Sequence, residues 1–330
     1  MKILYAIQGT GNGHLSRAED VIPILQQYGE LDLFVSGAQA DIKLSYPVKY
    51  KSKGLSFFFG KNGGIDFLKT FRKNSSKDVL KEIKKFPVEN YDLVINDFEP
   101  VSSWACHKKE IPCVALSHQS AMLSDKTPRP KKFDPIGDWL LKNYAPANAH
   151  VGFHFDRFDS WIYTPVIRSE IRKLEVQQKE HYTVYLPSYH DRKLVPLLAS
   201  IPNIRWHIFS KHTKKSYHMG KLSVYPVNKE EFAASMTSAK GILCGAGFET
   251  PAEALYLKKK LLVVPMKSQY EQHCNAAALK RLGVPVIKKM KKKNLDQITE
   301  WIETNTIVNV DYPDITSDAV AEAIRLGKAL

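Results

Sequence analysis

The sequence predicts an α/β protein built from two doubly wound parallel-sheet halves, and three observations carry that prediction. Short, continuously apolar runs alternate with helix-spaced stretches. The alternation starts again near residue 180, and a glycine-rich turn closes one apolar run in each half. Continuously apolar strands indicate a parallel sheet covered on both faces, because a solvated face would show alternating polarity. At 330 residues the chain exceeds one ordinary core and suits two domains of about 150 residues each.

Taken in order, residues 2–7 read as a buried strand, 16–27 as a helix and 31–36 as a second strand. Residues 51–72, with Phe57, Phe58 and Phe59 among glycines and lysines, read as a loop or insertion. Further strands at 91–96 and 113–117 flank a helix at 101–109. In the second half, strands at 182–187, 204–209, 222–224, 241–244 and 261–264 alternate with helices near 193–199, 230–238, 251–257 and 274–282. The linker falls within 156–180 and carries a charged helical stretch at 169–179. The expected domains are therefore 1–160 and 161–330. A final amphipathic helix at 317–330, apolar at Val320, Ala323 and Ile324, can pack back on the first domain.

Composition narrows the class. Hydrophobic residues at 44% and charged residues at 25% belong to a folded globular chain rather than a disordered one. The longest apolar runs, such as 261–266, are strand-sized and far short of the roughly 20 residues that span a bilayer. Residues 1–7 lack a cleavage pattern, so the expected location is cytoplasmic. Cys106, Cys113, Cys244 and Cys274 form no C-x-x-C pair and read as reduced, buried thiols. A net charge of +14 attracts phosphorylated or otherwise anionic partners. The lysine clusters at 211–215, 258–260 and 288–293 read singly as solvated surface, and no nucleic-acid-binding motif accompanies them. Phe57–Phe59 beside Lys51, Lys53 and Lys61 suggests peripheral docking on the inner face of an anionic membrane. A core-packed aromatic cluster is the competing reading.

Two turns carry candidate chemistry. Gly9-Thr10-Gly11-Asn12-Gly13-His14 follows the first strand and precedes a helix. A dinucleotide fingerprint would need a third glycine where His14 stands and an acid ending the second strand, so nicotinamide dinucleotide binding is disfavoured. Gly11 and Gly13 instead allow backbone amides to approach an oxygen-rich ligand. His14, near the carboxyl end of a strand, suits a general base. Asp97, ending another strand, can orient it, and Glu99 competes for that role. In the second half, Cys244-Gly245-Ala246-Gly247-Phe248-Glu249-Thr250-Pro251 leads from a strand into a helix whose free amides suit a diphosphate.

The second turn continues as G-x-x-T-x-x-E, then Val264-Pro265, then Glu271-Gln272 shortly before Asn275-Ala276. This ordered set resembles the donor-binding region of GT-B glycosyltransferases, in the group that includes the peptidoglycan N-acetylglucosaminyltransferase and the UDP-glycosyltransferases. The glycine turn before His14 and the segment Thr164-Pro165-Val166-Ile167-Arg168 are similar to that group too. The resemblance implies two Rossmann-like domains facing a central cleft, and an inverting hexosyl transfer from a nucleotide-diphosphate sugar, with UDP as the expected nucleotide. It implies that Gly247 and Thr250 meet the diphosphate, that Glu253 meets the ribose, and that Glu271 and Gln272 meet the transferred sugar, with Gly245, Ala246, Phe248 and Asn275 among the other donor-binding residues. Arg168 and Ser188 fall near its phosphate groups, and Asn228 and Phe232 near its base-binding segment. Many relatives carry His or Arg where this chain has Gly245, so another cation, such as Arg168, has to compensate.

No D-x-D motif occurs, which fits transfer without a metal. No cofactor is expected beyond the nucleotide sugar as co-substrate. The implied acceptor is a hydroxyl of a small molecule, glycan or glycolipid, including glycans of the cell envelope. A sugar-nucleotide epimerase of the same fold and a non-catalytic sugar-nucleotide sensor are the alternatives.

Overall fold

The computed structural model describes residues 1–37, 44–53 and 76–330. Phe57, Phe58, Phe59 and Lys61, expected to take part in docking, lie outside the described residues. The chain divides into two compact units, one comprising 1–127, 133–168 and 312–330, the other 128–132 and 169–311.

Among the described residues, the first unit has β1 (Lys2–Gln8), β2 (Glu30–Ser36), β3 (Tyr50–Ser52), β4 (Leu93–Asp97), β5 (Cys113–Ser117), β6 (Ala149–Phe153) and β7 (Ile162–Tyr163). They form one sheet in the order β3-β2-β1-β4-β5-β6-β7, with every pairing parallel. Its helices are α1 (Asn12–Leu25), α2 (Ser76–Lys85), α3 (Pro100–Lys109), α4 (His118–Ala121) and α5 (Pro135–Asn143). Ile3 to Ile7 of β1 are fully buried, as the apolar run requires of a strand covered on both faces. Each such large side chain contributes about 1.5–3 kcal/mol by leaving water.

The second unit opens with α6 (Ser169–Arg172) and holds β8 (His181–Tyr185), β9 (Arg205–Ser210), β10 (Tyr217–Met219), β11 (Leu222–Pro226), β12 (Gly241–Gly245) and β13 (Lys260–Val264). Their order is β10-β11-β9-β8-β12-β13, parallel except for the β10–β11 edge. Helices α7 (Asp191–Ala199), α8 (Lys229–Ser238), α9 (Glu249–Tyr256), α10 (Tyr270–Arg281) and α11 (Leu295–Glu303) belong to it. The last helix, α12 (Thr316–Lys328), lies in the first unit, against α1 and strands β4, β5 and β6.

Both sheets reverse their strand order once. In the first the chain runs outward from β1 and returns at β4; in the second it runs outward from β8 and returns at β12. Open α/β sheets bind ligands in the crevice beyond the carboxyl ends of the strands at such a reversal. Ile7 pairs with Asp97 at the first, and Tyr185 with Cys244 at the second. The carboxyl ends there are the glycine turns already singled out.

Three local expectations differ from the fold. Helix α1 begins at Asn12 rather than near residue 16, because Gly11 adopts φ 99° and swings the chain straight from β1 into helix. The charged stretch at 169–179 yields only the short α6, since Ile171 alone of that helix is buried and no apolar stripe exists to hold a longer one. Of the cluster 258–260 only Lys258 is exposed. Lys259 and Lys260 are each 5% exposed, and their ammonium groups donate to Gln177 O at 2.6 Å and Ile302 O at 2.7 Å. Burial holds both below the ordinary lysine pKa. The four cysteines are free and buried.

Candidate active site

At the carboxyl edge of the first sheet, His14 stands in the first turn of α1 and Asp97 ends β4. His14 Nδ1 lies 2.8 Å from Asp97 Oδ1. An ionised carboxylate only accepts, so Nδ1 is the donor, and Nε2 is the nitrogen that carries the lone pair in the neutral ring. The His14 side chain is 13% exposed and Asp97 fully buried. One turn further along α1, the buried Arg17 grips the same carboxylate. Its Nη2 is 2.8 Å from Oδ1 and 2.9 Å from Oδ2, and its Nε is 3.2 Å from Oδ2. Gln119, on α4 just beyond β5, places Nε2 3.5 Å from His14 Nε2.

The two acids near residue 98 divide their work. Burial is the largest influence on Asp97 and pushes its carboxyl up, but Arg17 and His14 together outweigh it and hold the group below the ordinary carboxylate value. Asp97 therefore stays charged in the interior. Glu99 instead caps α3, accepting from Val101 N at 2.8 Å, Ser102 N at 2.7 Å and Ser102 Oγ at 2.6 Å. Burial raises its pKa. Between them Phe98 takes φ 58°, a left-handed backbone that costs a bulky residue about 1–2 kcal/mol. That turn separates the carboxylate facing the imidazole from the one facing the helix.

At the corresponding edge of the second sheet, β12 ends at Gly245 and α9 begins at Glu249. A Cβ added at Gly247 would meet no atom within 4 Å, and one at Gly245 only Gln272 Oε1 at 3.8 Å. The backbone of this turn is thus open to a ligand, with Thr250 in the first turn of α9. Asn275, fully buried, donates through Nδ2 to Ala246 O at 3.2 Å and ties α10 to the turn. Gln272 Oε1 accepts from Met266 N at 3.0 Å, and Glu271 is half-buried in the first turn of α10. Phe248 and Glu253 are 4% and 2% exposed. Ser188 is exposed, on the turn after β8, at the same reversal.

Gly11 precedes α1 and Gly13 lies within its first turn, beside His14. Arg168 is half-buried and is the last residue of the first unit before α6. Asn228 caps α8, accepting from Glu230 N and Glu231 N at 3.0 Å each. Phe232 packs its ring on Tyr185 and Phe209, at 5.2 and 5.1 Å between centroids. Among the described residues no group of three His, Cys, Asp or Glu side chains converges as metal ligands. Nor is any helix among them long and apolar enough to cross a membrane.

The family model for glycosyl transferase family 1 matches residues 1–304 of this sequence. The chain belongs to glycosyl transferase family 1. Comparison with curated proteins returns no match. Solved structures similar to this family 1 glycosyltransferase include LpCGTa in complex with UDP, with a TM-score of 0.59, 11% identity, 99% of this chain and 93% of that one covered. Arabidopsis thaliana UGT89C1 complexed with quercetin gives a TM-score of 0.59 at 12% identity, covering 99% and 93%. The glycosyltransferase VinC in complex with dTDP gives 0.51 at 13% identity, covering 100% and 96%. At these identities the likeness is one of fold, and that fold is GT-B.

Two residues of the candidate site were missed in the sequence. Arg17 follows His14 by three positions, the spacing that stacks side chains on one helix face, once the helix is known to start at Asn12. Gln119 follows a strand end by two residues, the same signal that marked Asp97.

Proposed function

We propose that this glycosyltransferase moves a hexosyl group, with inversion and without a metal, from a UDP-sugar to an acceptor hydroxyl of a glycan or glycolipid. The observation that carries the reading is the hydrogen bond from the part-exposed His14 to the buried Asp97, an arrangement that favours the tautomer in which Nε2 can take a proton. The acceptor O–H gives its proton to His14 Nε2. The oxygen then bonds to the anomeric carbon from the face opposite the leaving group, and the electron pair of the breaking C–O bond departs with the diphosphate. Asp97 and Arg17 are positioning residues: the carboxylate stabilises the imidazolium, and the guanidinium fixes the carboxylate.

In this reading the second unit holds the donor. Diphosphate oxygens meet the amides of Gly247 to Thr250, where aligned helix dipoles favour negative charge without a cation. Glu253 serves the ribose, Glu271 and Gln272 serve the sugar, and Asn275 holds α10 against the turn. The uridine choice draws support from the UDP in LpCGTa, and VinC with dTDP shows a second pyrimidine nucleotide on the same fold. The missing D-x-D motif supports charge compensation by amides.

His14→Ala is the direct test. Turnover should fall about 100- to 10,000-fold, the usual worth of a general base, while UDP affinity stays within about twofold. Unchanged turnover with a transferable acceptor would remove His14 from the mechanism.

A further inference from the structure

Among the described residues the three most exposed large apolar side chains are Trp139, Phe133 and Ile136, at 63%, 60% and 59%. They fall within seven residues, on α5 and its approach, and α5 buries none of its side chains. Scattered exposed apolar residues are ordinary, but three at three-residue spacing on one helix edge form a patch. Two cations, Lys131 and Lys132, stand exposed immediately before Phe133, while Lys126 is paired with Asp159 at 2.8 Å and the two nearest acids are Asp134 and Asp138. Of the two acids, Asp134 caps α5 through Gly137 N at 3.0 Å and Asp138 pairs with Lys142 at 2.9 Å.

The inner side of α5 ties this patch to the candidate base. Leu141, Lys142 and Ala145 line a small cavity with Asn96, Ser117 and Gln119 at the carboxyl ends of β4 and β5. Gln119 is the neighbour of His14 Nε2. The Phe98 ring packs on Tyr144, which ends α5, at 4.8 Å.

We propose that α5 and the residues leading into it dock on an anionic lipid bilayer, with Phe133, Ile136 and Trp139 entering the headgroup boundary and the lysines facing lipid phosphate. An indole with an apolar body and one N–H suits that boundary. Charge complementarity selects this occupant. A second copy would bring basic flanks together on a chain already at +14, whereas an anionic surface neutralises them. The proposal extends the glycolipid-acceptor reading, because docking would present a membrane-borne hydroxyl on the side of the unit that carries His14. Docking itself is measured without turnover.

The test is co-flotation of the full chain with vesicles of phosphatidylglycerol and phosphatidylcholine, and with vesicles of phosphatidylcholine alone. The expected result is binding to the anionic vesicles only, with a blue shift of tryptophan emission that Trp139→Phe abolishes. Binding should weaken at least ~10-fold in a Phe133→Ser, Ile136→Ser, Trp139→Ser variant and in added salt, which shortens the Debye length to about 3 Å at 1 M. All three side chains are exposed, so the variant is expected to keep its melting temperature. Absence of binding, equal binding to neutral vesicles, or full binding by the triple variant would overturn the proposal. So would a concentration-dependent doubling of mass without vesicles that the variant loses, which would give the face to a second copy. UDP affinity measured on the same preparations reports separately on the donor reading. Loss of UDP binding in a chain that still floats would fault that reading alone.

Discussion

Arg17 is fully engaged with a carboxylate that sees no solvent. Arg17→Met should therefore leave Asp97 as a buried charge with half its partners gone, at about 3–5 kcal/mol of folding stability. Adding Asp97→Asn to Arg17→Met should return part of that loss, because the neutral amide no longer needs the cation. Urea unfolding of the two single variants and the double variant checks this, and strictly additive losses would contradict the coupling. His14 and Asp97 were legible because residue type and position at a strand end point to the same chemistry. Arg17 was not, since a helix read from residue 16 hides its spacing from His14. The choice between Asp97 and Glu99 was not legible either. It rests on the left-handed backbone of Phe98, which leaves no mark on composition.

Helix α4 is only four residues long, yet it carries Gln119 to the imidazole. It can lie there because β6 has Gly152 beneath it. A Cβ at that position would stand 2.8 Å from Ala121 N and 2.9 Å from Ala121 Cα. Gly152→Ala should push α4 outward and cost about 1–3 kcal/mol, the usual toll of overpacking. Thermal melting reads the stability, and a lower turnover at unchanged UDP affinity reads the shift of Gln119. Strand β6 escaped the sequence reading because His150 and Gly152 interrupt a run of only five residues. The lysines at 259 and 260 misled for a related reason: a charge run looks solvated until tertiary structure supplies carbonyls at the ends of long aliphatic stems.

The molecule's stability should depend on pH through a pair of histidines in the second unit. His181 and His207 stack with centroids 3.9 Å apart and planes at 20°. Burial, the largest influence, holds both below the ordinary histidine value, His207 at about 4. The unfolded chain takes up these protons near pH 6.5, while folded His207 waits until about pH 4. More protons are bound in the unfolded state across that window, so stability present at neutral pH is lost as pH falls from 6.5 toward 4. His181 is buried and His207 only partly so, and discounting for the solvent that reaches His207 puts the loss on the order of 1 kcal/mol. Urea midpoints at pH 7 and pH 4.5 should show the drop, and His207→Gln should flatten it. At this scale the sequence was most informative. Two apolar rhythms and two glycine turns sufficed for two doubly wound sheets, because strand burial is written into every apolar run.

The same plan has a temporal consequence. Residues 169–311 can close their own sheet as soon as they leave the ribosome, but the first unit must wait for 312–330. Until then Leu93 and the faces of β4, β5 and β6 that receive α12 lie bare, and Gly327, which leaves room for Leu93 in the finished core, is not yet in place. Nascent chains should therefore reach protease resistance in the later-encoded segment first, and the earlier one should be the client that chaperones hold.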